Sequence, residues 1–142
     1  MTPNDRISHF MTRSPHTIGV DRTLAQAHRV MREHRIRHLP VMAGGKLIGI
    51  VSERELHLLE TLKDTDPLQA TVEEAMSTDV FAVHPNARLT AVAAKMAERK
   101  IGSAVVVDKG EVLGIFTALD GLRVLASFTG DRNSAHPVGI KA

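Results

Sequence analysis

Hydrophobic and polar positions alternate along this chain in a pattern that occurs twice. Residues 16–20, HTIGV, and 80–84, VFAVH, carry the β-branched and aromatic residues of a half-buried strand. Apolar residues at helical spacing follow each one: Leu24, Ala27 and Met31 in the first half, Leu89, Val92 and Met96 in the second. Thr23 with Gln26 fits a capping box at the start of the first helix. Two apolar runs come next, HLPVM and KLIGIV around Gly44-Gly45, then SAVVV and EVLGIF around Lys109-Gly110. Each pair predicts a hairpin. Second helices are expected to begin at Glu53 and Ala118.

Shifting the sequence against itself places Met11 on Met76, Leu24 on Leu89, Met31 on Met96, Glu33 on Glu98 and Ile36 on Ile101. The register runs without a gap to Ser52 opposite Thr117, as a duplicated unit requires. The expected partition is a first repeat over 7–62, a polar linker with a proline over 63–71, and a second repeat over 72–128. A tail over 129–142 shows no periodicity and is expected to fray or be pinned to a neighbour. The fold class is α+β, two β-α-β-β-α units with helices on one face of each sheet. Packing sheet to sheet by a pseudo-two-fold buries the other faces and leaves two related crevices.

Composition changes this picture mainly by exclusion. The chain has 142 residues, 43% hydrophobic, with a net charge of +2, which describes an ordinary globular protein better than a nucleic-acid binder. Zero cysteines exclude disulfides, thiolate catalysis and cysteine-ligated metal. The first residues show no apolar leader and no stretch is long enough for a membrane span, so a cytoplasmic location is expected. Ser-His-acid, H-E-x-x-H and P-loop patterns are missing, and the expectation is a protein that is not an enzyme.

The most informative residues are Gly114-Ile115-Phe116-Thr117-Ala118-Leu119-Asp120 and their counterparts Gly49-Ile50-Val51-Ser52-Glu53-Arg54-Glu55. Both stretches resemble the G-h-h-[T/S]-x-x-D signature that closes a cystathionine-β-synthase (CBS) domain, and HRIRHLPVMAGGKLIGIV resembles the segment that precedes it. Two such motifs at a constant offset make the chain similar to a free-standing CBS pair, or Bateman module. A Thr or Ser three residues before an acid is also a plain capping box. Ser52 and Glu55 have the residue types that box prefers, whereas the shorter Asp120 reaches the cap less easily. Capping is therefore expected at Ser52 and Glu55. Asp120 is expected to be free for two ribose hydroxyls, with Thr117 and the N–H groups of the new helix free for a phosphate.

The resemblance implies that each pocket is shared, the acid of one repeat facing strands of the other. Carried over residue by residue, Thr117 and Asp120 face Ser14, Pro15 and His16, with Arg37 and His38 as donors to an anion. Ile36, Leu39, Pro40 and Phe116 supply an apolar slot for a base. The mirror pocket joins Ser52, Arg54 and Glu55 to Thr78, Asp79, Val80 and Phe81, and to Gly102, Ser103 and Ala104. It is expected to be poorer, because no basic residue matches Arg37 and His38 and because Asp79 repels a phosphate.

The ligand this implies is an adenosyl compound, AMP, ADP or ATP ahead of NAD or S-adenosylmethionine, bound by a regulatory sensor that acts on a separate protein. A homodimer with helices facing helices is also implied, with Leu56, Leu59, Val124 and Leu125 at the interface or in the core. Two other readings stay open. One is a docking or dimerisation module with empty pockets, and the other is a nucleic-acid binder using Arg29, Arg32, Arg35 and Arg37. No metal site is expected: His34 and His38 straddle a helix end, His28 sits among polar residues where solvent is expected, and His84 ends a strand.

Overall fold

The computed structural model describes residues 5–128, so the 129–142 tail lies outside the described residues. A 3-10 turn at Ile7–His9 leads into β1 (Thr12–Arg13) and β2 (Ile18–Gly19). The first repeat continues through α1 (Leu24–His34), β3 (His38–Ala43), β4 (Lys46–Ser52) and α2 (Glu53–Lys63). After the short α3 (Val72–Ala75), the second runs through β5 (Ala82–Val83), α4 (Leu89–Arg99), β6 (Ser103–Asp108), β7 (Glu111–Thr117) and α5 (Ala118–Ser127). Both second helices begin where the pattern places them, and the Thr23–Gln26 capping box is formed.

Each repeat has a mixed sheet, with β2 parallel to β3 and β3 antiparallel to β4 in the first. The second repeats this with β5, β6 and β7. Leu24, Ala27 and Met31 seat α1 on one core with Leu39, Val41, Val51 and Leu56. Leu89, Val92 and Met96 seat α4 on the other with Ala104, Val106 and Phe116. Both helices end on a residue with left-handed backbone, Arg35 at φ 55° and Lys100 at φ 56°, which turns the chain sharply into the next strand.

The leading segment of each repeat belongs to the other repeat's core. Ile7 is fully buried in the second core, and Val72, its equivalent, is fully buried in the first. β1 adds to the second sheet, pairing Thr12 with Ile115 and Arg13 with Gly114, and Ser77 bridges to Ile50 in the same way. The segment expected to be a plain linker is docked as well. Ala70 and Pro67 carbonyls accept from the N–H groups of Leu24 and Ala25, two donors that the first turn of α1 has no helical partner for. The Asp5 carbonyl does the same for Leu89.

This crossing needs glycine in two strands. A Cβ on Gly49 would lie 2.6 Å from Met76 Sδ and 3.0 Å from the Ser77 carbonyl oxygen, and one on Gly114 would collide with Met11 and the Thr12 carbonyl. Backbone cannot retreat as a flexible side chain can. Gly114→Ala and Gly49→Ala are each expected to destabilise the fold by roughly 1–3 kcal/mol, seen as a lower urea midpoint. Gly121→Ala, in α5 with only ordinary contacts to Phe116, is expected to stabilise by about 0.5–1 kcal/mol.

Candidate functional site

The two helix starts that follow the hairpins are built alike. Ser52 accepts from the Glu55 N–H and Glu55 accepts from the Ser52 N–H at 2.9 Å. At the other start, Thr117 accepts from the Asp120 N–H and Asp120 accepts from the Thr117 N–H, also at 2.9 Å. The expectation that Asp120 stays free of the cap is therefore corrected: a chain in extended conformation at Thr117 brings the shorter carboxylate within reach. Asp120 is also 6% exposed and accepts from the Thr12 hydroxyl at 3.3 Å and from Arg123 at 3.2 Å. A ribose approaching Asp120 must displace Thr12 or Arg123.

The helix N-termini are partly engaged too. Ala118 donates to the Gly102 carbonyl and Glu53 to the Arg37 carbonyl, so the first N–H of each helix serves the neighbouring loop of its own repeat. On the Asp120 side, Ser14 takes a left-handed backbone at φ 48° and donates its N–H to the Leu113 carbonyl, while the His16 ring stacks on His34 at 3.6 Å between centroids. Leu39, Pro40 and Phe116 are buried packing residues, and Ile36 packs against the first core.

An open crevice of about 490 Å³ lies at the other helix start, within the range of small-molecule sites. Both repeats line it. Ser52, Arg54 and Glu55 come from the first, and Asp79, Val80, Phe81, Gly102 and Ser103 from the second. Arg37, His38 and Lys100 line it as well, which corrects the expectation that Arg37 and His38 face Thr117 and Asp120 and that this side has no basic residue to match them besides Arg54. The spacing hid this because Lys100 is the left-handed C-cap of α4 and is turned there by backbone geometry. Thr78 is exposed nearby in sequence, and Ala104 is buried in the second core.

Asp79 is a weaker obstacle to an anion than its charge alone suggests. Arg99 binds it at 2.9 Å and also sits over the Phe81 ring, 5.5 Å from its centroid. The contact is exposed, so its main effect is to offset charge locally. His38 packs over Gly102, where a Cβ would lie 3.0 Å from its Nε2. Burial, with a smaller contribution from Arg37, holds its pKa below the ordinary 6.5. A neutral imidazole thus stands among cations.

The structure divides the four helix positions left open between interface and core. Leu56 is fully buried and Leu59 and Val124 pack on the cores, because they face inward on α2 and α5. The residues left outside are Leu58 and Leu62 on α2, and Leu119, Leu122 and Leu125 on α5, followed by Phe128. His28 is not simply solvated, since its Nε2 lies 2.8 Å from Glu60 Oε1. His84, at the end of β5, lies 3.6 Å from Asp108.

Comparison with known proteins gives a consistent answer. The sequence profile of the CBS domain matches residues 7–58 and 72–127. The CBS domain-containing protein YhcV of Bacillus subtilis is 32% identical over 118 residues, covering 83% of each chain. Inosine-5'-monophosphate dehydrogenase of Korarchaeum cryptofilum is 34% identical over 81% of this chain, which spans only 23% of that enzyme. Among solved structures, the CBS domain pair of protein MJ0100, in complex with 5'-methylthioadenosine and S-adenosyl-L-methionine, superposes with a TM-score of 0.79. It is 26% identical over 87% of this chain and 97% of that one.

Two measurements check the site. Asp120→Ala removes a cap and a buried charged acceptor and is expected to cost about 1–3 kcal/mol in thermal or urea unfolding without any ligand. His38 should give stability a pH dependence of known sign. Above 6.5 the imidazole is neutral in both states, and below it the unfolded chain takes up the proton first, because the folded pKa is lower. Stability is therefore full above 6.5 and falls as pH drops toward the folded value. His38→Gln should flatten that fall in pH-dependent melting curves.

Proposed function

This chain belongs to the CBS domain family as a tandem pair, and on that footing we propose that it is a regulatory module sensing an adenosine nucleotide, AMP, ADP or ATP, in the crevice lined by Arg37, His38, Ser52, Glu55 and Lys100. The observation that carries this reading is the crevice itself, which both repeats build and which gathers Arg37, Arg54, Lys100 and His38 around one opening. The same lining carries Glu53, Glu55 and Asp79, but Glu55 caps α2 and Asp79 is paired with Arg99, which leaves Arg37, Arg54 and Lys100 to meet a phosphate. Val80, Phe81, Ile50 and Ile101 offer apolar surface for an adenine, and the Glu55 oxygen not engaged in the cap can accept from a ribose hydroxyl. The adenosyl ligands of the MJ0100 pair support the same chemical class, and the cations favour a phosphorylated adenosine over S-adenosylmethionine, whose sulfonium is itself cationic.

The mechanism is a shift in how the repeats sit. A ligand touching both can favour one orientation only through its differential affinity for it. Binding at Thr117 and Asp120 as a second subsite would require Thr12 and Arg123 to release Asp120. No catalytic step is assigned. The output passes to a regulated protein or a second copy of the chain through the exposed leucines of α2 and α5.

With no Trp and no Tyr, the protein barely absorbs near 280 nm, so a co-purified nucleotide stands out at 260 nm. Titration with AMP or ATP is expected to raise the melting temperature, and an unchanged curve with no 260 nm band would defeat the proposal. Arg37→Ala should weaken binding by about 1.5–3 kcal/mol. Lys100→Gly should weaken it while leaving the unliganded protein at least as stable, since glycine suits the left-handed φ. A phosphate beside His38 should draw a proton onto the ring, so affinity rises as pH falls, and calorimetry in two buffers should record proton uptake.

A further inference from the structure

We infer that His28, His57 and Glu60 form a binding site for one divalent transition-metal ion of the zinc class, on the face shared by α1 and α2. One ligand atom from each of the three lies within 4.8 Å of the others, and among the described residues they are the group of His, Cys, Asp and Glu side chains so arranged. His57 and Glu60 stand three residues apart on α2, and His28 meets them from α1. Two imidazoles and a carboxylate are the donor set of open zinc sites, in which water takes the fourth position.

Geometry supports the assignment beyond the ion pair it contains. His28 Nε2 and Glu60 Oε1 are 2.8 Å apart, closer than the roughly 3.4 Å that separates two donors on a tetrahedral zinc with bonds of about 2.1 Å, so these two need only part slightly around an ion. The pair alone gives no reason for a third donor. Yet the His57 ring lies 5.2 Å from that of His28, tilted by 48°. His57 is exposed, so a side-chain rotation can close the remaining gap, and the open side leaves an entry path. His28 and Glu60 are held more firmly, with side chains 23% and 20% exposed. Their helices are fixed from beneath by Ala27, Met31 and Leu56 in one core. The backbone is thus set before a metal arrives, and only one long side chain must be ordered.

The site also shares a residue with the crevice, because His57 lines both. A metal that draws the His57 ring toward α1 alters the crevice wall, and reciprocity requires that a ligand preferring one His57 position change metal affinity by the same factor. The metal site itself does not depend on the nucleotide reading.

The test is a titration of the chelator-treated full chain with cobalt(II), without nucleotide. The expected result is visible absorption of four- or five-coordinate cobalt that saturates at one equivalent and is displaced by zinc(II). Affinity should fall with acidification, as protons compete for the imidazoles. His57→Ala and Glu60→Gln should each weaken binding at least about tenfold, whereas His84→Ala should not. Because His57 is exposed, an unchanged metal-free melting curve for His57→Ala separates ligand loss from misfolding. The inference is overturned if no saturable cobalt spectrum develops, or if His57→Ala binds as tightly as the native chain. Neither outcome bears on whether AMP or ATP binds.

Discussion

The architecture rests on a close approach made twice, where Met11 and Thr12 cross β7 over Gly114, and Met76 and Ser77 cross β4 over Gly49. No other residue type leaves room for backbone and methionine against those strands. Each crossing carries the leading segment of one repeat into the other and buries Ile7 or Val72 at its end. The halves are thereby interlocked through covalent chain and not only through apposed surface. The first-turn donors of α1 and α4 find their acceptors in the same crossing segments, at Ala70 and Asp5. Buried backbone groups seldom go unpaired, so losing a crossing would strand donors as well as expose apolar area.

The periodic features of the fold were legible in the sequence, and those that depend on particular long-range pairs were not. The helix stripes, the hairpins and the starts at Glu53 and Ala118 follow from local spacing, which tertiary packing left undisturbed. The exchange of leading segments could not be read that way. Its signal was present as Met11 and Met76 at one offset, facing Gly114 and Gly49 at the same offset, but contact across a hundred residues is invisible to periodicity. Leu56, Leu59 and Val124 look interchangeable with Leu58, Leu62 and Leu122 until helix rotation is known. The rotation buries or packs the first three and exposes the others.

For the site, residue type was a better guide than side-chain length or apparent charge balance. Asp120 reaches its cap despite the missing methylene and then acquires Thr12 and Arg123 as well. Lys100 enters the opposite crevice through a left-handed turn that nothing in its neighbours announces. The two helix starts consequently differ in state more than in composition. At the Thr117 start the acid is enclosed by protein donors, and at the Ser52 start Arg37, Arg54, Lys100 and a neutral His38 stand with Glu53, Glu55 and Asp79 around open space.

The interlock also orders events in time. Thr12 and Arg13 leave the ribosome about a hundred residues ahead of their strand partners Ile115 and Gly114. At a synthesis rate of roughly 5–20 residues per second, the opening segment waits on the order of 5–20 s with its edge unpaired. The first core, by contrast, is nearly complete once Val72 emerges. A nascent chain therefore passes through a half-built state in which one repeat can close while residues 7–13 have no place to go. Because the mean separation of contacting residues is raised by these crossings, folding of the finished chain is slower than its helix content alone would suggest.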